Sequence, residues 1–416
     1  DLLEGCQDLR EATARLTETV LNALMSMQAD EACGAGWGER SQGRVNSRNG
    51  YRERSLSTTA GELRLRVPKL RRGSYFPDGM LTRWGRADAA LAAAVAEMYV
   101  QGVSTRKVEA VAAELGLDSM SSSRVSSMCA SLDAEVEEFR TRPLDWQRWC
   151  YLWLDATWVR CRVDGRAASQ AVVTAIALGE DGCKHLCGVD VLDTESHADW
   201  ESFLRNLRSR GMQGVQLVVS DAHGGLRRAI DEQFQGASWQ RCTVHLLRDV
   251  RGHVHNRDDE ARATGLARAV FAQHDPLVAR AVLRLAVERI SSFSRNAAAC
   301  LESAGEDCLT YMDFPAAHWA KIRTNNVQER ANREIKRRTR VVQTFPSRES
   351  LVRLVGAVLA EEEDTWSQHR VFSPESTARA WSERRRGVPT ELELRTAERR
   401  AADVIAQALD QTNGKQ

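Results

Sequence analysis

Proline and lysine are scarce in this chain: 8 Pro against 27 Gly, and 6 Lys against 52 Arg, in 416 residues. With 43% hydrophobic and 28% charged residues, the composition excludes the collagen-like, coiled-coil and intrinsically disordered classes. Long apolar runs are missing too. The longest, Ala89 to Val100, is interrupted by Glu97 and falls well short of the roughly 20 residues a membrane span needs. The opening residues show no charged segment followed by an apolar core, so no secretory leader is expected. The ten cysteines form no CxxC pair and no regular framework, which points to reduced thiols in a cytoplasm. No GxxxxGK[ST] occurs, which excludes a Walker-type ATPase. What remains is a globular chain with room for two to three domains.

The formal net charge of +1 hides local asymmetry. Glu39 to Arg72 holds ten basic and three acidic residues, and Lys321 to Arg340 holds eight and two. One such block reads as a solvated face. Two, each beside another nucleic-acid signal, read as surfaces that neutralise phosphates. Residues 1–35 form an amphipathic helix by the spacing of Leu3, Leu9, Leu16, Val20, Leu21 and Leu24. In residues 36–75 only Glu62 to Val67 alternates like a strand. Ser104 is placed to cap a helix carrying Val108, Val111, Ala112 and Leu115 and ending at Gly116, with Val103 and Val108 as its staple. A second helix from Ser121 or Ser122 carries Val125, Met128, Cys129 and Leu132. The pair matches a helix-turn-helix, whose recognition helix would begin with Ser122, Ser123, Arg124 and Ser126; an ordinary helical hairpin is the plainer alternative.

From residue 150 the pattern changes. Tyr151 to Val163, Ala171 to Leu178 and Cys183 to Leu192 read as three strands joined at Asp164-Gly165 and Asp181-Gly182, an antiparallel meander. Ser196 caps a helix with Trp200, Phe203, Leu204 and Leu207 on one face. The apolar run Val215 to Val219 follows as a buried strand, then a helix from Ala222 to Phe234 and a short strand at Trp239 to Cys242. That order predicts an α/β fold with a ribonuclease H-like mixed sheet, its fourth strand parallel to the first. Helices resume from Val244 to His318, with Asp275-Pro276 opening one, and again over Asn325 to Arg340 and Ser347 to Trp366. The charged tail from Ser373 reads as helical.

Asp155 falls in the middle of the first strand, on the pleat face of Trp153 and Val159, where an aspartate must be paired or metal-bound. Asp221 follows the buried fourth strand, where open α/β sheets place their ligands; capping the next helix is its plainer role. If the two strands are neighbours, the carboxylates converge and call for a divalent cation, Mg²⁺ by oxygen preference. Glu329 is the candidate third acid, which would let two ions clamp a phosphoryl displacement. A capping-box glutamate after Asn326 is its alternative reading. On its helix, however, Asn325, Glu329, Asn332, Arg333 and Lys336 share one face, which suits a DNA strand passing a metal-bound carboxylate.

These residues carry a resemblance. Arg48-Asn49-Gly50-Tyr51-Arg52, Gly61 to Pro68, Glu97 to Val108, Leu154-Asp155-Ala156-Thr157, Ser220-Asp221-Ala222-His223-Gly224-Gly225-Leu226, Gln240 to His245 and Arg323 to Arg338 stand in order over about residues 35 to 370. As a set they resemble the Mutator-type bacterial insertion-sequence transposases (the insertion sequence 256 family), which have an Asp-Asp-Glu active site. The resemblance implies that Asp155, Asp221 and Glu329 are catalytic and bind two Mg²⁺ ions, with Mn²⁺ able to substitute. It implies that Lys336 contacts DNA, and that the 108 positions between Asp221 and Glu329 hold an all-α insertion. The further DNA-binding candidates are Arg48, Arg52, Arg54, Arg106, Lys107, Ser123, Arg124, Asn332, Arg333 and Arg337. Cys242 and His245 match the family's Cys-x-x-His; two ligands with no second pair make no structural zinc site, so they are expected to support the active-site edge.

The implied organisation is an N-terminal helix with an arginine-rich DNA-binding segment (1–75), a helix-turn-helix domain (76–145), a ribonuclease H-like catalytic domain in two parts (146–258 and 319–370) around the insertion (259–318), and a helical charged tail (371–416). The implied activity is a DNA transposase: metal-dependent cleavage at transposon ends, then attack of the freed 3′-hydroxyl on target DNA, without a covalent enzyme intermediate. Expected partners are double-stranded DNA, as terminal inverted repeats and target, and at least one further copy of the chain, in the cytoplasm at the nucleoid. The alternatives are another ribonuclease H-like nuclease or resolvase, which needs neither the arginine-rich region nor the insertion, and a non-catalytic DNA-binding regulator, against which the presence of all three acids argues.

Overall fold

Apolar residues every second position, Leu63, Leu65 and Val67, give the N-terminal unit its buried face. They belong to a hairpin of β1 (Arg48–Thr58) and β2 (Gly61–Leu70), packed by helix α1 (Leu9–Cys33) through Leu21 and Met25. The computed structural model describes residues 9–58, 61–73, 75, 77, 89–101, 103, 107–108, 110–111, 125, 128–129, 131–383 and 388–413, in two units, Asp1–Glu135 and Val136–Gln416. β1 was not legible as a strand: it is paired on one side only, Arg52 stays in solvent, Arg54 is half-buried, Arg48 is buried, and no alternation survives. Along β2, Glu18 accepts from the Arg64 N–H (3.0 Å) and Asn22 from the Arg66 N–H (2.7 Å), so side chains of α1 satisfy an edge that would otherwise be open. The helix expectation for α1 holds, but Leu9, Leu16, Val20 and Leu24 face solvent. The face turned to the hairpin runs through Ala14, Leu21 and Met25, and of the expected positions only Leu21 is on it.

Helix α2 (Ala89–Val100) supplies Leu91 and Val95 to a small core with Val108, Val125, Met128 and Cys129. Of the apolar residues of the expected helix-turn-helix, Val108, Val125, Met128 and Cys129 pack together, Val111 is exposed, and Ala112 and Leu115 lie outside the described residues. The turn, the Ser104 cap and most of the expected recognition helix lie outside the described residues.

The second unit begins in α3 (Ser131–Thr141) and is built on a five-stranded mixed sheet: β3 (Trp149–Val163), β4 (Arg166–Gly179), β5 (Lys184–Leu192), β6 (Leu217–Ser220) and β7 (Ser238–Arg241), in the order β5-β4-β3-β6-β7. β3, β4 and β5 are antiparallel, and β6 and β7 run parallel to β3. At the first turn Asp164 and Gly165 both have positive φ (50° and 77°), as a two-residue hairpin of the type I′ class requires. Between β5 and β6 the crossover helix α4 (His197–Ser209) starts where Ser196 accepts the Asp199 N–H, and it buries Trp200, Phe203, Leu204 and Leu207. With α5 (Gly224–Gln233) it covers the sheet face of Leu152, Leu154 and Val218.

The opposite face, Tyr151, Trp153, Leu217 and Val219, joins a core with the helices that follow β7. These are α6 (Thr243–Gly252), α7 (Arg257–Phe271), α8 (Pro276–Ser291) and α9 (Arg295–Ala304). α8 opens at Asp275-Pro276 as its sequence requires. After the short α10 (Trp319–Ile322) come α11 (Asn326–Val342), α12 (Arg348–Ser367), α13 (Pro374–Ser382) and α14 (Glu391–Asn413). α14 docks on α7 and α8 and buries Ala397, Ala401 and Ile405 in the same core. On α12, buried Glu363 accepts from the Leu186 N–H and from Arg142 (2.8 Å) and meets His185 (3.1 Å), which fixes that helix to β5. Among the described residues no helix is long and apolar enough to cross a membrane.

Candidate active site

Parallel pairing sets the site. Trp153 of β3 and Val219 of β6 are register partners, so Asp155 and Asp221, each two residues farther along, leave one face of the sheet side by side. Burial, and then the Asp221 carboxylate, push the Asp155 carboxyl up to about 7. Asp155 Oδ1 accepts its neighbour's N–H, from Ala156 (2.9 Å), and Oδ2 accepts the Asn332 amide (2.8 Å). Asp221 does not cap the following helix; His223 does, accepting the Leu226 N–H. The Asp221 carboxylate is therefore available for other work, and its Oδ1 contacts His245 Nδ1. Asp221 and Cys242, as acceptors for its ring N–H groups, push His245 up to about 10.

Helix α11 is pinned against this strand by amides. Asn325, its first cap position, makes no capping bond and donates instead to the Leu154 carbonyl (3.0 Å). Gln328, fully buried, donates to the carbonyls of Trp153 (2.7 Å) and Thr174 (3.1 Å) and accepts from the Thr174 hydroxyl (2.7 Å). Glu329 is half-buried on the same helix, four residues after Asn325 and three before Asn332, within about 60° of both around the axis. With Asn325 as the cap, no capping box forms, and that alternative for Glu329 falls away.

Two expected DNA contacts are used inside the fold. Arg48 is buried, ion-paired with Asp30 (2.5 Å) and bonded to the Ser26 hydroxyl (2.9 Å), so it ties the hairpin to α1. Asn332 is buried on Asp155 and holds a carboxylate where a phosphate contact was expected. Arg52, Lys107, Arg333, Lys336 and Arg337 are exposed, Arg54 is half-buried, and Arg337 pairs with Glu334 (2.7 Å). Arg106, Ser123 and Arg124 lie outside the described residues. Sequence reasoning missed Gln328, whose amide has a purpose only once α11 lies across β3 and β4, and Glu195, whose charge reaches Asp155 from the loop before α4.

Comparison with known proteins gives a consistent picture. Residues 3–369 match the family described as "Transposase, Mutator family". The chain is 41% identical over 369 residues to the transposase for insertion sequence element IS1081 of Mycobacterium tuberculosis, covering 86% of each chain. It is 38% identical over 367 residues to that for ISRM5 of Rhizobium meliloti (88% of this chain, 90% of the relative). To that for IS256 in transposon Tn4001 of Staphylococcus aureus it is 35% identical over 358 residues (86% and 91%).

Proposed function

The chain belongs to the Mutator family of transposases, and from that membership we propose that Asp155, Asp221 and Glu329 form its metal-dependent active site, on a ribonuclease H-like sheet. The observation that carries the proposal is the convergence of Asp155, midway along β3, and Asp221, just past the end of the neighbouring parallel strand β6, with the Glu329 helix clamped to β3. A buried carboxylate whose affinity for protons is raised by burial and by a second carboxylate beside it makes a site for a divalent cation, and the all-oxygen chemistry of the pair suits Mg²⁺ or Mn²⁺. Bound there, a pair of such ions supplies charge neutralisation for the attacking and leaving oxygens of an in-line displacement.

The chain's own residues do the positioning. Asn332 orients Asp155 through Oδ2, His245 holds one oxygen of Asp221, and Asn325 and Gln328 fix the level at which Glu329 meets the strand. Exposed Arg333 and Lys336 continue along α11 as phosphate contacts, with Arg52, Arg54 and Lys107 of the N-terminal unit serving the transposon ends. In the first step water adds to phosphorus and the 3′-oxygen leaves with a proton. In the second that 3′-hydroxyl attacks a target phosphodiester and displaces the target's own 3′-oxygen. Two ends must be handled together, so the working species is a dimer or larger on DNA.

The test is strand cleavage of labelled transposon-end DNA with Mg²⁺ or Mn²⁺, comparing wild type with Asp155→Ala, Asp221→Ala and Glu329→Ala. Cleavage lost in all three with DNA binding retained supports the triad. Binding without cleavage by the wild type favours a regulator, and cleavage surviving Glu329→Ala rules out that acid.

A further inference from the structure

The Asp221 side of the site holds more than oxygen. Ser220 of β6 and Arg241 of β7 are register partners, and the Cys242 N–H donates to the Ser220 carbonyl (2.9 Å). The residues after the two strands, Asp221 and Cys242, are therefore delivered next to each other by sheet hydrogen bonds. Cys242 is the N-cap of α6, and His245 sits in that helix's first turn, where it comes back over the strand ends. One carboxylate oxygen, the Cys242 sulfur and one His245 ring nitrogen all lie within 4.8 Å of one another. The sulfur is buried and accepts the Asn325 N–H (3.2 Å), while the Asp221 side chain is 42% exposed and opens the cluster to solvent.

We propose that Asp221, Cys242 and His245 form a second metal site, selective for Zn²⁺, that withdraws Asp221 from the Asp155 pair. Cys242 and His245 alone are two ligands; the fold supplies the third. A carboxylate, a thiolate and an imidazole on a rigid frame with one open position are a three-ligand zinc set, and the sulfur and nitrogen donors disfavour Mg²⁺. The Cys242 thiol and the protonated His245 ring each give up a proton to solvent as the metal–sulfur and metal–nitrogen bonds form. Binding itself rests only on this geometry. Its consequence, zinc inhibition of cleavage, rests on the active site proposed above.

The probe is Co²⁺, added to full-length protein stripped of metal by a chelator. The expected result is a near-ultraviolet thiolate-to-cobalt band with tetrahedral visible bands, displaced by Zn²⁺ but not by excess Mg²⁺. Cys242→Ser abolishes the thiolate band, whereas Asp155→Asn and Glu329→Gln retain it. No thiolate band in the wild type, or one that persists in Cys242→Ser, overturns the site. Zinc X-ray absorption on the wild type reads the same point without a variant: a single sulfur in a nitrogen and oxygen shell is expected, and a shell with no sulfur or several refutes it. Zn²⁺ is further expected to suppress Mg²⁺-dependent cleavage, and undiminished cleavage at saturating Zn²⁺ overturns the competition. Cleavage that survives Asp155→Asn would sink the triad and leave the cobalt spectrum untouched, so the two readings fail separately.

Discussion

Gln328→Leu is the most informative single change, because it separates the clamp on α11 from the acid beside it. Leucine nearly conserves the volume, so the loss is polar. It removes three hydrogen bonds made inside the protein, two to main-chain carbonyls and one from the Thr174 hydroxyl. A buried hydrogen bond contributes about 1 kcal/mol net, and a buried partner left unpaired costs about 1–3 kcal/mol. Strand carbonyls keep a second lone pair, so the lower figure applies to them and the total comes to about 3–4 kcal/mol. At about 2–4 °C per kcal/mol the midpoint of thermal unfolding falls by roughly 6–16 °C. The assay is circular dichroism melting beside metal-dependent cleavage measured well below both midpoints. Cleavage is expected to drop in the folded variant, because Glu329 loses its fixed height over β3. Arg330→Ala, next along the helix but exposed and only loosely paired with Glu362 (3.7 Å), is the control and shifts the midpoint little. A Gln328→Leu midpoint within about 1 °C of wild type would refute the claim that these amides hold the helix.

Other tests are simpler. His318 is buried between the Tyr151 hydroxyl (2.7 Å) and Ser376 (3.0 Å), and burial, with Arg379 nearby, pushes it down to about 4. It is neutral in the fold and takes up a proton more readily when unfolded, so its contribution is complete above about pH 6.5 and is lost as pH falls towards 4. That loss is at most about 3 kcal/mol; urea unfolding at pH 7 and pH 5 should show a shallower fall in His318→Gln than in wild type. Gly182 and Gly165 share a positive φ (79° and 77°), but a Cβ at Gly182 would meet the Phe372 carbonyl at 2.0 Å whereas one at Gly165 meets nothing within 4 Å. Gly165→Ala should therefore cost about 1 kcal/mol and Gly182→Ala clearly more, read from paired denaturation curves. Asn332→Ala frees Asp155 Oδ2 of its donor and should lower cleavage with little change in DNA affinity; a loss of affinity as large as that of Arg333→Ala would restore the DNA-contact reading.

Much of the catalytic unit was legible because its signals are local. Asp164-Gly165 sets a hairpin, Ser196 and Asp275 cap helices, and the four apolar residues of α4 repeat with the helix period. The apolar run ending at Val219 marked a buried strand, and chirality placed it parallel to β3. What failed was whatever depends on a partner far along the chain. β1 carries charge on both sides, and α1 bears two apolar stripes, so the pattern of Leu9, Leu16 and Val20 gave no sign that the other stripe would face the hairpin. Arg48 and Asn332 look like phosphate contacts by residue type, and only their neighbours Asp30 and Asp155 show otherwise. Cys242 and His245 are one ligand short of the proposed zinc set in sequence, because Asp221 joins them only through the β6–β7 pairing.

The hydrogen bond from Asn332 to Asp155 closes a loop of 177 positions, and the chain traverses β4 to β7 and a whole helical layer before it can form. Contacts at such separations are slow to form, since the entropy of closing the loop must be overcome first. The sheet can therefore pair while α11 is still adrift. A molecule caught at that stage, whether newly synthesised or beginning to unfold, has two of the three proposed acids and no means of holding Glu329 in place. On the proposed triad, competence to break a DNA strand waits for α11 to dock on β3.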